Sequence, residues 1–88
     1  MICKHVFYSG RVQGVGFRYT AQEVAQGFAV TGFVRNLPTR QVELLAEGPS
    51  DQVDAFLQAL GNRMKGYIVE STVHDEEPAG HRSFEIRY

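Results

Sequence analysis

Two stretches of the chain repeat apolar residues at helical spacing, and each shows one apolar stripe only. Phe17, Ala21, Val24, Ala25 and Phe28 fall at i, i+4, i+7, i+8 and i+11, with Gly27 near the end. Val53, Phe56, Leu57 and Leu60 repeat the pattern until Gly61, with Ser50 in the place of an N-cap and Asp51 and Asp54 close to the helix start. A helix with a single apolar face needs a surface to cover it, so both helices call for one common partner layer.

The remaining segments supply that layer. Val6, Phe7 and Tyr8 form a β-rich run ending at Ser9-Gly10. Val30 to Asn36 is β-branched and aromatic, Leu37-Pro38-Thr39-Arg40 makes a turn, and Val42, Leu44 and Ala46 then alternate with Gln41, Glu43, Leu45 and Glu47, which predicts a hairpin. Gly48-Pro49 breaks the second strand of that hairpin. Tyr67 to His74 reads as a further strand, Asp75 to His81 as a solvated acidic loop, and Phe84, Ile86 and Tyr88 as one face of a terminal strand. The order is β-α-β-β-α-β with one more strand at the end. It predicts an α+β, two-layer ferredoxin-like sandwich, with two helices on one face of a mostly antiparallel sheet of four to five strands.

At 88 residues, 43% apolar and 22% charged, the chain is read as one domain over 1–88, neither disordered nor a multidomain enzyme. A chain this short buries only about 60 to 65% of its unfolded surface, so any site is shallow and built on loops. The single cysteine, Cys3, excludes an internal disulfide and a cysteine metal cluster, and has no adjacent base to make it a nucleophile. The cytoplasm is the expected compartment. No signal-peptide h-region and no apolar run of membrane-spanning length occurs.

The net charge of -1 conceals a polarity. Residues 1 to 40 carry Lys4, Arg11, Arg18, Arg35 and Arg40 against Glu23 alone, a net +4, while residues 41 to 88 carry four bases against nine acids, a net -5. Arg11 and Arg18 bracket the glycine-rich run Gly10 to Gly16 and Arg35 adjoins Asn36, so the excess is local and fits a small anion rather than a long polyanion. Solvation accounts for the acidic remainder.

Gly10-Arg-Val-Gln-Gly-Val-Gly16 lies between a strand and a helix start, where unpaired backbone N–H groups and the helix dipole favour an anion. It lacks the lysine of a Walker A loop and the last glycine of a dinucleotide fingerprint. Taken alone, its glycines make either an anion cradle or simply a tight turn. Arg18 stands in the first helical turn, where a cation opposes the dipole unless an anion is bound beside it. It is either a phosphate ligand or a solvated arginine. Asn36 is either a turn residue or a group that orients a water. His5, His74 and His81 lack metal-ligand spacing, and Asp75-Glu76-Glu77 lacks calcium-loop spacing, so no metal is expected.

Gly10-Arg-Val-Gln-Gly-Val-Gly-Phe-Arg18 and Gly32-Phe-Val-Arg-Asn36, followed by Val42 and Gly48, resemble the two signature segments of the acylphosphatase family over almost the whole chain. The resemblance implies hydrolysis of the carboxyl–phosphate bond of acyl phosphates, without metal, cofactor or covalent intermediate. It implies phosphate binding by Arg11, Val12, Gln13, Gly14, Val15, Gly16, Phe17 and Arg18, and catalysis by Arg18 and Asn36, which positions the attacking water. The implied partners are a small acyl phosphate and inorganic phosphate as product and competitor, with no nucleic acid or membrane, and a monomer is expected. Arg40 departs from the pattern, which usually has a turn glycine there. The competing expectations are a non-catalytic phosphate-binding domain and an RNA-binding module. The strand Gln41 to Glu47 carries no aromatic residue for stacking a base.

Overall fold

The computed structural model describes residues 1–88. Its elements are β1 (Ile2–Gly10), α1 (Phe17–Ala25), β2 (Thr31–Asn36), β3 (Val42–Gly48), α2 (Ser50–Arg63), β4 (Ile68–Glu76) and β5 (Phe84–Arg87). The five strands form one sheet in the order β4-β1-β3-β2-β5, antiparallel except for the β2–β5 pair. Both helices cover one face, which is the α+β, ferredoxin-like arrangement that the two apolar stripes require. No helix is long and apolar enough to cross a membrane.

Every residue of β3 is buried, and the core gathers on its helix side around Leu44, Val42, Ala46, Val6 and Val34. Phe17 leaves α1 to meet the Tyr8 ring at 4.9 Å, so the start of α1 is fastened to β1. Phe56 of α2 lies 5.4 Å from Phe84 and 6.3 Å from Phe28. Burying large side chains of this kind stabilises by about 1.5 to 3 kcal/mol each.

Several boundaries differ from the sequence expectation. β1 begins at Ile2, and α1 ends at Ala25, so Phe28 packs from a turn rather than from the helix. Ser50 is the first helical residue instead of the cap; Pro49 holds the cap position, its carbonyl accepting from Gln52 and Val53 at 3.0 Å. Gly61 does not stop α2. The helix continues to Arg63 because Met64, one turn beyond Leu60, is also buried and rewards another turn. The acidic run is not a loop from Asp75: β4 continues to Glu76, since Lys4 and Cys3 of β1 offer pairing partners to Asp75 and Glu76. Long-range pairing overrides the low strand propensity of those acids.

Candidate active site

β1 leaves the sheet through a bulge, its register with β4 shifting between Ser9 and Gly10. Gly10 has φ 127°, and a Cβ there would sit 2.4 Å from the Tyr67 carbonyl oxygen, so only glycine lets the chain turn out here. The Arg11 N–H donates to the same carbonyl at 2.8 Å, so that donor serves the fold rather than the loop. Val12, fully buried, anchors the next residue in the core.

From Val12 through Tyr19 no backbone N–H finds an acceptor within the protein. Gly16 caps α1 at φ 77°, with no side-chain cap and no acid in the first turn. The result is a run of unspent donors at the positive end of a helix dipole, the arrangement that binds anions. Arg18, in that first turn, has no carboxylate partner among the ion pairs of the protein. Its guanidinium stacks 4.8 Å above the Tyr88 ring and reaches the Arg87 carbonyl at 3.5 Å. Tyr19 and Tyr88 meet through their hydroxyls at 3.5 Å.

Asn36 closes β2, and its side chain comes to the same place. Arg18, Asn36, Gly14 and Gly16 line one cavity of about 190 Å³, several times the ~30 Å³ of one water. The Asn36 Oδ1 is fully buried and has no hydrogen-bond partner. An orphaned acceptor of this kind costs about 1 to 3 kcal/mol unless a water or ligand group satisfies it.

Gln13 ties the two halves of this cavity together. Its side-chain amide donates to the carbonyls of Leu37 and Gln41, both at 2.9 Å, and Gln41 in turn donates to the Ser9 hydroxyl at 3.1 Å. The backbone of Gln13 belongs to the loop while its side chain holds the β2–β3 turn. Sequence reasoning placed Gln13 in the loop but missed this second role, along with Gln41, Tyr19 and Tyr88. Only the strand order, with β5 beside β2, brings Tyr88 to Arg18.

Arg35 is not part of the site. It projects from the sheet face opposite the helices and donates to Glu43 Oε1 at 2.9 Å, so its charge is neutralised there. The local cationic excess is therefore Arg11, Arg18 and Arg40. Nor are all the acids merely solvated. Glu43 also binds His5 Nε2 at 2.7 Å, while His5 Nδ1 meets Glu76. Burial pushes the His5 pKa down, but the two carboxylates outweigh it and hold the imidazole above its ordinary range. Burial likewise pushes Glu43 up and is outweighed by His5 and Arg35, which hold it low.

Glu47, also buried, accepts from the backbone N–H groups of Ala79, Gly80 and His81 at 3.1 to 3.3 Å. It pins the β4–β5 connection over the sheet. Burial, followed by the charges of Glu47 and Glu76, raises the Cys3 thiol to about 11, so the one cysteine is an unreactive thiol at neutral pH.

The acylphosphatase family model matches residues 4–86. The chain is 44% identical over 81 residues to an acylphosphatase of Methanospirillum hungatei, covering 90% of this chain and 89% of that one. Among solved structures it is similar to the acylphosphatase of Bacillus subtilis, with a TM-score of 0.92 and 36% identity over the whole of both chains. It also resembles a segment of full-length HypF in a phosphate- and nucleotide-bound form, at 25% identity and a TM-score of 0.87, covering 99% of this chain and 12% of that one. The likeness runs through both ends of the cavity, from the glycine-rich loop to the strand that carries Asn36, and this chain belongs to the acylphosphatase family.

Proposed function

We propose that the chain, acting as one unit over residues 1–88, hydrolyses the carboxyl–phosphate bond of acyl phosphates to a carboxylate and inorganic phosphate. The phosphoryl oxygens sit against the N–H groups from Val12 to Arg18 and the Arg18 guanidinium, whose fork suits two oxygens at once. Asn36 Oδ1 accepts from a water held in line with the breaking bond. The water oxygen attacks phosphorus, the P–O bond to the acyl group breaks, the carboxylate leaves with the electron pair, and the water's proton passes to a phosphate oxygen. A carboxylate leaves without help from an acid, so positioning and charge stabilisation carry the reaction. The single observation that carries this reading is that Asn36, whose Oδ1 is buried and unpartnered, lines the same cavity as an uncompensated arginine and a row of unspent N–H donors.

In this reading the enzyme is a cytoplasmic monomer that needs neither metal nor cofactor, and nucleic acid is not a partner. The aromatic Phe33, on the face opposite the helices, is 7% exposed beneath Arg87 at 4.1 Å, which supports that reading because a base-stacking platform must be open. The test is hydrolysis of benzoyl phosphate with inorganic phosphate as competitor, with and without chelator. Arg18→Gln lowers kcat/KM by about a hundredfold or more. Asn36→Ala lowers kcat while phosphate still competes with near wild-type affinity. Wild-type turnover in Arg18→Gln, or loss of activity on chelation, defeats the proposal.

A further inference from the structure

A second cavity opens against the flank of the same loop. Its volume is about 450 Å³, and Val12 and Gly14 form part of its wall as they do for the cavity that holds Arg18 and Asn36. Its only charged lining residues are Arg11 and Arg40. Neither arginine has a carboxylate within ion-pairing distance, and both are exposed. Two arginines therefore line one acid-free concavity beside the glycine-rich loop.

Arg40 is also held against its own backbone preference. It is the one residue other than glycine with positive φ, at 75°, in a turn closed by its N–H donating to Leu37 O at 3.0 Å. Glycine would fill that position without strain. A side chain kept in a strained place, beside a site and with no partner in the protein, points to a ligand outside it.

We infer that Arg11 and Arg40 form a second anion subsite, which selects acyl phosphates whose acyl part carries a further anionic group, a carboxylate or a phosphate. The inference rests on the hydrolytic reading above for the placement of the first phosphate. With the phosphoryl group in the smaller cavity, the acyl part extends along the loop wall that both cavities share. Its far end then meets the two guanidinium forks, which suit either anion.

The experiment compares benzoyl phosphate with 4-carboxybenzoyl phosphate and 4-phosphonobenzoyl phosphate, which differ only in the distal group. The ratio of kcat/KM for the charged over the plain substrate falls about fivefold in Arg40→Gln and in Arg11→Gln. Arg82→Gln, an exposed arginine in the β4–β5 connection, leaves the ratio unchanged. Calorimetric binding of benzylphosphonate and 4-carboxybenzylphosphonate repeats the comparison without turnover, so the subsite and the hydrolytic reading fail separately. A response to either anion supports the subsite, and the larger response says which anion it prefers. An unchanged ratio in both variants overturns it, as does an equal fall in Arg82→Gln, which would make the effect one of net charge.

Discussion

The side-chain amide of Gln13 reaches across from the glycine-rich loop and donates to the carbonyl of Leu37, the residue next to Asn36. One side chain therefore sets the distance between the group that would hold phosphate and the group that would hold water. Small misplacements at reacting centres cost large factors in rate. In Gln13→Met, which keeps the length and removes the donors, kcat for benzoyl phosphate falls about tenfold while KM changes little. A rise in KM alone, measured by steady-state kinetics, would show that the tie shapes only the phosphate cradle.

Tyr88 supports Arg18 from the other side by stacking under its guanidinium. A cation–π contact of this kind contributes about 0.5 to 1 kcal/mol at an exposed site. Tyr88→Ala should therefore weaken competition by inorganic phosphate by a factor of about two to five, whereas Tyr88→Phe keeps the ring and stays within twofold of the wild type. Inhibition constants for phosphate in the two variants decide the matter.

At Arg40 stability and selectivity are set against each other. Arg40→Gly relieves the positive φ, and a gain of about 0.5 to 1 kcal/mol is expected once the extra freedom of glycine in the unfolded chain is subtracted. That corresponds to a rise in Tm of a few degrees for a domain of this size. Thermal unfolding checks it, and a lower Tm would mean that the arginine side chain supports the turn.

Glu47 gives the largest stability effect. Glu47→Ala removes the buried carboxylate that accepts from the N–H groups of Ala79, Gly80 and His81, and a loss of about 3 kcal/mol is expected in urea unfolding. Burial alone would raise the Glu47 pKa, yet the three N–H groups together with His81 hold it below 4.5. Its contribution is therefore present above that ordinary value and fades as pH falls through the lowered one.

His5 behaves in the opposite sense. Its pKa is raised above 6.5 by Glu76 and Glu43 against the effect of burial. The stabilisation is complete below the ordinary value and is lost as pH rises through the raised one. The difference in Tm between wild type and His5→Gln should be widest near pH 6 and narrow toward pH 9. A difference independent of pH would show that His5 contributes by packing alone.

Much of this was legible in the residues themselves. The two apolar stripes and the alternation of Val42, Leu44 and Ala46 are local periodicities, and they translate directly into two helices on a sheet. The glycine-rich loop and Arg18 stood out as candidates, because a cation in a first helical turn breaks a local rule, whereas Asn36 left two readings open and only the resemblance gave it a role. What stayed hidden was set by partners distant in the chain. Alternation places Glu47 and Glu43 on the face away from the helices, where solvation is the natural reading, but Ala79 to His81 and the His5–Arg35 pair cover them. Arg35 looked like part of the phosphate site for the same reason: its neighbour in sequence is Asn36, while its neighbour in space is Glu43.

The parallel β2–β5 pair has a consequence for how the site comes into being. Loop residues 12–19, the strand end at Asn36 and the aromatic ring of Tyr88 come from the beginning, middle and last residues of the sequence, and Arg18 is separated from its contact at Arg87 by 69 positions in sequence. Loops that long close late and slowly, so a partly folded chain holds the glycine-rich loop without its support. The support of Arg18 is then complete only once the last strand has docked.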